Sequence, residues 1–307
     1  MKAVRIHRFG GLETMVYQKA PIPGAAEGQV LVRVKAAGVG PWDVLVREGK
    51  SAVHQSLPLI LGADLAGVVE TVGDGVSGFH PGDEVFGVTN SQFTGAYAEY
   101  AVAEAGMIAR KPKRLGFVEA ASVPVAASTA WRMVFDYGRM DDKTRVLILG
   151  GAGNVGAYAV QLAKLSGAEV ITTTFTRDVD YARSLDADQV IDTQKVLFER
   201  RVKDVDVVID TIGGETLDRS FNVLKRGGML LSSVATPDQD KAAQHNVLGV
   251  FFIISVTSGR LIKIADMLDS GQLKTNVGEV LNLSEAVQAH EMLAGMPHKR
   301  GKIVLAV

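Results

Sequence analysis

The chain has 307 residues, too many for one ordinary hydrophobic core, so two domains are expected. Hydrophobic residues make up 47%, and 33 Lys+Arg against 34 Asp+Glu leave a net charge of −1, which argues against a partner such as nucleic acid or an anionic membrane. Cysteine is absent, which excludes disulfides, thiolate nucleophiles and Cys-ligated zinc.

Residues 1–115 read as β-rich. Met1–Ile6 lacks the apolar core of a signal peptide and reads as a first strand, so a cytoplasmic location is expected. Val30–Ala36 alternates apolar and polar side chains, and Leu65–Val72 is a second strand candidate. Pro81-Gly82-Asp83 is a turn, followed by strands at Glu84–Val88 and Ala96–Val102. From about residue 118 the texture changes. Val118–Tyr137 is helical, with Pro124 interrupting it early. Strands are then predicted at 145–149, 169–174, 189–192, 205–210, 228–234 and 248–254. Helices are predicted at 153–166, 178–185, 214–224 and 258–270. This alternation indicates a doubly wound parallel sheet. Strand 277–282, helix 284–294 and strand 302–306 complete the chain. The expected architecture is a β-rich domain built from both chain ends, 1–118 with 273–307, and a dinucleotide-binding domain over 119–272 inserted between. A ligand cleft is expected between them, beside the carboxyl ends of the strands.

The most informative stretch is Val146-Leu-Ile-Leu-Gly150-Gly-Ala-Gly153-Asn154-Val155-Gly156, followed by Ala157–Leu165 at helical periodicity. Strand, tight turn and helix N-terminus lie end to end. A helix N-terminus carries free N–H groups and positive partial charge, so it can hold a pyrophosphate. Gly150, Gly153 and Gly156 would form the turn, with the N–H groups of Asn154 and Val155 facing the pyrophosphate. The bland reading is a structural turn with a polar residue at the helix start. The whole of 146–163 is strongly apolar, but four glycines, Asn154 and Gln161 suit a buried strand–turn–helix better than a membrane span.

NAD-preferring folds carry an acidic residue at the end of the second strand, about 20 residues after the turn. Here that region reads Thr172-Thr-Thr174-Phe-Thr176-Arg177, with no carboxylate before Asp178. Arg177 can pair with a 2′-phosphate, with Thr174 or Thr176 adding hydroxyls, which points to NADPH. The alternative for Arg177 is a solvated residue opening a helix.

Several strings, taken together, resemble the medium-chain dehydrogenase/reductase superfamily. They are Ala36–Asp43, Leu61–Gly67, Pro81–Gly87, Gly95–Tyr100, Ser128–Trp131, the glycine turn, Asp210–Gly214 and Gly301–Leu305. The match runs in order along essentially the whole chain and is nearest to the zinc-free, NADPH-dependent quinone oxidoreductase group. It implies an α/β protein with a GroES-like β-rich catalytic domain and a Rossmann domain, usually dimeric, with strand 248–254 a candidate contact. Zinc members of the superfamily place ligands at the positions of Gly40, Ala63 and a third near Val125, and none of these residues can coordinate a metal. The six histidines (His7, His54, His80, His245, His290, His298) are scattered and read as surface residues, so no metal is expected. Gly40 stands where relatives often carry an Asn that contacts cofactor or substrate. Phe175 stands where they often carry a Ser.

By the same resemblance, Thr129 would turn its hydroxyl to the nicotinamide; otherwise it bonds its own helix backbone. Asp43 is either an active-site support or a helix cap. Tyr97 is a candidate proton donor or a structural tyrosine. The strand ends at Ile212 and at Ser233-Val234 could present backbone groups to the nicotinamide end of the cofactor. Phe252 could wall the pocket or belong to the core, and Lys302 could reach the cofactor from the last strand. No G-x-S-x-G elbow, S-x-x-K or P-loop is present. The expectation is an NADPH-dependent reductase acting on a quinone or an α,β-unsaturated carbonyl, since such acceptors take hydride without a metal or a covalent nucleophile. Enone or enal double-bond reduction and a non-catalytic NADPH-binding sensor are the alternatives.

Overall fold

In the computed structural model, which describes all 307 residues, the amino-terminal elements are nearly all strands. They are β1 (Lys2–Ile6), β2 (Val16–Lys19), β3 (Gln29–Val39), helix α1 (Pro41–Arg47), β4 (Leu59–Ile60), β5 (Asp64–Val72), β6 (Glu84–Val88), β7 (Tyr100–Glu104) and β8 (Ile108–Arg110). Strand β3 is the spine. Val30, Val32 and Val34 alternate inward, and β3 pairs antiparallel with both β5 and β7. Helices α2 (Phe117–Ala121) and α3 (Pro124–Trp131) follow, then a π-helical turn over Arg132–Tyr137. The helical stretch expected over Val118–Tyr137, interrupted early at Pro124, is divided at that residue. Pro124 lacks an N–H to continue α2, and it starts α3, where a first-turn N–H needs no partner. The strand expected at Ala96–Val102 is shifted. The ladder begins at Tyr100, and Ala98 makes only an isolated bridge to Ala3.

Next come β9 (Arg145–Leu149), α4 (Asn154–Leu165), β10 (Glu169–Thr174), α5 (Val179–Ser184), β11 (Gln189–Asp192), β12 (Val205–Asp210), α6 (Gly214–Arg219), β13 (Leu224–Ser232), α7 (Gln239–His245) and β14 (Leu248–Phe251). The strands form one parallel sheet in the order β11-β10-β9-β12-β13-β14. The order reverses between β10–β9 and β12, the arrangement of a doubly wound dinucleotide fold. Its core gathers Leu147, Leu149, Ile171, Phe198, Phe221 and Leu230. Helix α7 escaped the sequence reading although its cap was legible. Asp238 Oδ1 accepts the N–H groups of Asp240 and Lys241, and Asn246 ends the helix in the left-handed conformation.

The chain closes with α8 (Ser258–Ser270), β15 (Val277–Asn282), α9 (Ala286–Leu293) and β16 (Lys302–Ala306). Strand β16 pairs with β3, so the carboxyl terminus joins the sheet of the amino-terminal strands. That sheet runs β15-β16-β3-β5-β6-β8, with β7 also on β3, and β2-β1-β4 form a second, three-stranded sheet. Two compact units result: Met1–Val125 with Ser255–Val307, and Ala126–Ile254. The first takes in α8 and all of α2, whereas the boundaries expected at 118 and 273 put α8 with the dinucleotide domain and cut through α2. No helix is long and apolar enough to cross a membrane.

Candidate functional site

In the second unit, β9 delivers the chain into the turn and α4 leaves it. Gly150 sits at φ +78°, a conformation that side chains resist. A Cβ on Gly151 would lie 2.0 Å from Thr172 Oγ1, and one on Gly156 would lie 2.1 Å from the Gly150 carbonyl oxygen. Only glycine permits this approach. The turn is tied back to β10, with Gly150 N–H donating to Thr173 Oγ1 and Gly151 N–H to the Thr173 carbonyl. Gly153 is the N-cap of α4 and supplies no side-chain acceptor, so the N–H groups of Asn154, Val155 and Gly156 are those a twelve-residue helix leaves to an outside anion. A cradle with no room for side chains fits a pyrophosphate.

At the end of β10, Thr174 is buried, while Arg177 extends into solvent with its side chain 81% exposed. Thr176 is not free: its hydroxyl donates to Asp192 at 2.8 Å. Asp192 ends β11 and escaped the sequence reading, because the partner strand is set by sheet order and not by local sequence.

The ends of β12 and β13 are joined by Asp210, which is fully buried. Its Oδ1 accepts the N–H groups of Ile212 and Gly213, and its Oδ2 accepts the Ser232 hydroxyl. Ser232 Oγ in turn accepts the N–H groups of Val234 and Ala235. This network sets the path of both loops, leaving Ile212 and Val234 exposed, with Ile212 over Gly150 and Val234 beside Gly213. Ser233 lies between them and donates its N–H to the Asp210 carbonyl. Phe252 is 7% exposed and packs 4.9 Å from the Tyr137 ring beneath the Arg132 guanidinium, so it belongs to the core. Thr129 is buried on α3.

The first unit holds a buried group of charges. Asp43 Oδ2 accepts the Gly40 N–H at 2.8 Å and the Tyr97 hydroxyl at 3.0 Å. The N-cap of α1 is Gly40, and Asp43, the third residue of the helix, reaches back to its N–H. Its Oδ1 is buried with no hydrogen-bond partner, as is the neighbouring Trp42 Nε1. Burial pushes the Asp43 carboxyl up to about 7, against the Gly40 N–H, the Lys302 charge and the Tyr97 hydroxyl. Burial raises the Tyr97 hydroxyl as well, and the Asp43 charge adds to it. Lys302 lies in the core, its ammonium 2.9 Å from Asp64 Oδ2 and 4.7 Å from the Trp42 ring centroid. Asp64 Oδ1 accepts the Val125 N–H. Gly40 thus lies beside Asp43, Ala63 precedes Asp64, and Val125 donates its N–H to Asp64.

One histidine was misread as a surface residue. His290 is fully buried, and its Nδ1 faces Arg47 Nη1 at 3.1 Å. A guanidinium can only donate, so Nδ1 accepts and the ring proton sits on Nε2. Burial and then the Arg47 charge hold the imidazole down at about 4. Its place was recoverable: Ala286 and His290 are four apart on α9 and share its buried face.

Residues 26–113 match the alcohol dehydrogenase GroES-like domain family, and residues 185–305 match the zinc-binding dehydrogenase family. The chain is 30% identical to human quinone oxidoreductase over 99% of its length and 97% of the relative's. It belongs to the quinone oxidoreductase-like family of medium-chain dehydrogenases/reductases. It is also 35% identical to 2-methylene-furan-3-one reductase of Solanum lycopersicum, over 89% of this chain and 70% of that one. The solved quinone oxidoreductase of Coxiella burnetii superposes with a TM-score of 0.92 at 32% identity, covering 100% of this chain and 99% of that one. The GroES-like and Rossmann architecture expected from the sequence is therefore present. The family is one of NAD(P)H-binding oxidoreductases.

Within this family member the buried Asp43 gives a measurable linkage. Its folded value, about 7, exceeds the ordinary 3.8, so its contribution to stability is full below about 3.8 and is lost as pH rises through about 7. His290 acts in the opposite sense, its contribution being full above 6.5 and lost as pH falls through about 4. Urea midpoints of wild type and Asp43→Asn, compared from pH 4.5 to 8, are expected to show wild type losing relative stability up to about 7 and levelling off above it. A pH-independent difference would show that Asp43 is ionised throughout.

Proposed function

We propose that the protein is an NADPH-dependent reductase of quinones or other α,β-unsaturated carbonyls, working without a metal ion. The reading is carried by the glycine turn Gly150–Gly156 at the head of α4, where Gly151 and Gly156 leave no room for a side chain, in a chain whose relatives are oxidoreductases. A bound reduced nicotinamide dinucleotide supplies the hydride, and the protein supplies position and exclusion of water. The α4 N–H groups hold the pyrophosphate, and Arg177 takes the 2′-phosphate. Ile212 and Val234 give an apolar surface at the strand ends, fixed by Asp210. Gly40, Ala63 and Val125 offer no ligand atom, and no group of three His, Cys, Asp or Glu side chains is set to hold a metal. Thr129, Asp43 and Tyr97 are proposed to support the reacting centre, the last two through the Gly40–Trp42 segment that they anchor. We take the protein to be a cytoplasmic homodimer joined at the edge strand β14, whose Leu248 and Phe251 are exposed. Similarity to the tomato reductase, whose name specifies a methylene-furanone, favours enone double-bond reduction as the second reading.

NADPH oxidation against a panel of quinones and a panel of enones is expected to show turnover with at least one class, and the preferred panel decides between the two readings. Tight NADPH binding with no turnover on either would identify a sensor. Arg177→Ala is expected to weaken NADPH binding ~10- to 150-fold, the equivalent of one charge-assisted contact, while sparing NADH; equal loss for both would remove the phosphate assignment. Elemental analysis of active protein should find no stoichiometric zinc, and one tightly held ion per chain would overturn the metal-free reading.

A further inference from the structure

Strand β10 ends in Thr172-Thr173-Thr174, and this carboxyl end, unlike its first residue Glu169, offers no carboxylate for a ribose. The fold brings one in from the neighbouring strand. Strand β11 pairs in parallel with β10, and its last residue, Asp192, lies in register with Thr174. From there Asp192 Oδ2 accepts the Thr176 hydroxyl at 2.8 Å and lies 3.2 Å from the Lys195 ammonium. Its Oδ1 accepts the Gln194 N–H at 3.0 Å, and Gln194 Oε1 accepts the Thr176 N–H at 3.0 Å. Asp192, Gln194 and Thr176 thus form a closed set, with two solvent-reaching cations, Arg177 and Lys195, on its rim. Desolvation works against the Asp192 charge, but the Thr176 hydroxyl, the Gln194 N–H and Lys195 outweigh it and hold the carboxyl below its usual range. The group is therefore an anion at neutral pH, able to accept a hydroxyl and not to donate to a phosphate.

In this fold class the ribose 2′ position of a dinucleotide is read at the end of the second strand, about 20 residues after the glycine turn. Thr176 stands there, and Asp192 is bonded to it. We propose that Asp192 is a specificity-determining residue for the dinucleotide. It supplies from the end of the third strand the carboxylate that the carboxyl end of the second strand lacks, so the 2′-hydroxyl of NADH is accepted beside the 2′-phosphate that Arg177 and Lys195 attract. This assignment rests on the oxidoreductase reading above. Asp192 acts twice against a phosphate: its own charge repels the group, and it engages Lys195, which would otherwise be available to it.

The test is titration of NADH and NADPH into the full-length protein, read as the ratio of the two dissociation constants. That ratio is blind to a uniform loss of folded protein. Asp192→Asn is expected to shift the ratio roughly tenfold toward NADPH, by weakening NADH and tightening NADPH. Asp192→Ser, which keeps a hydroxyl acceptor for Gln194 but removes the charge, should shift it the same way. Lys195→Ala should shift it toward NADH. An unchanged ratio in both Asp192 variants, or a shift toward NADH, would overturn the assignment. Failure of the wild type to bind either dinucleotide is a different result: it would overturn the oxidoreductase reading and this assignment with it.

Discussion

The dinucleotide half of this protein depends on a steric constraint, the absence of side chains where α4 folds back on β9. A single methyl on Gly156 would collide with the Gly150 carbonyl, and one on Gly151 with the Thr172 hydroxyl. Because the contact is so close, the first N–H groups of α4 are aimed at one point and held there by hydrogen bonds from the turn to β10. The loops that follow β12 and β13 are then placed over the same end of the sheet by Asp210 and Ser232. The geometry of this end of the sheet is a property of backbone, made rigid by two buried polar side chains.

The other unit solves a different problem. Asp43, Asp64, Lys302, Arg47 and His290 are all in its interior, and buried charges are tolerated only when paired and hydrogen-bonded. Asp64 achieves this with Lys302 and the Val125 N–H. Asp43 achieves it in part, with Oδ1 left over, and its carboxyl therefore holds a proton far above the ordinary range. This unit gathers two carboxylates bonded to backbone N–H groups and one ammonium. The cluster ties β5 to β16 through the Asp64–Lys302 pair, and Asp43 ties the start of α1 to Tyr97.

Much of this was legible locally. The parallel strands β9 to β13 and the helix α4 announced themselves through apolar runs, glycine and helical spacing, because those patterns reflect forces acting within a dozen residues. Pro124 signalled a break in the helix around it, and the structure shows two helices there. Helix α1 was missed because seven residues starting Pro-Trp-Asp hold too little periodicity to register. His290 was misplaced because a polar residue on a short helix was read by its chemistry and not by its spacing from Ala286.

Sequence alone determined the family, the GroES-like and Rossmann plan and the position of the glycine turn at the head of α4, since these rest on local sterics and on strings that keep their order along the chain. Only the tertiary structure decided which charges meet. Lys302 reaches Asp64 across 238 positions, and Arg47 reaches His290 across 243. Asp192 comes beside Thr176 because β11 lies next to β10 in the sheet. Pairings of that kind follow from strand order and register, which arise when the whole sheet closes and which no short segment encodes.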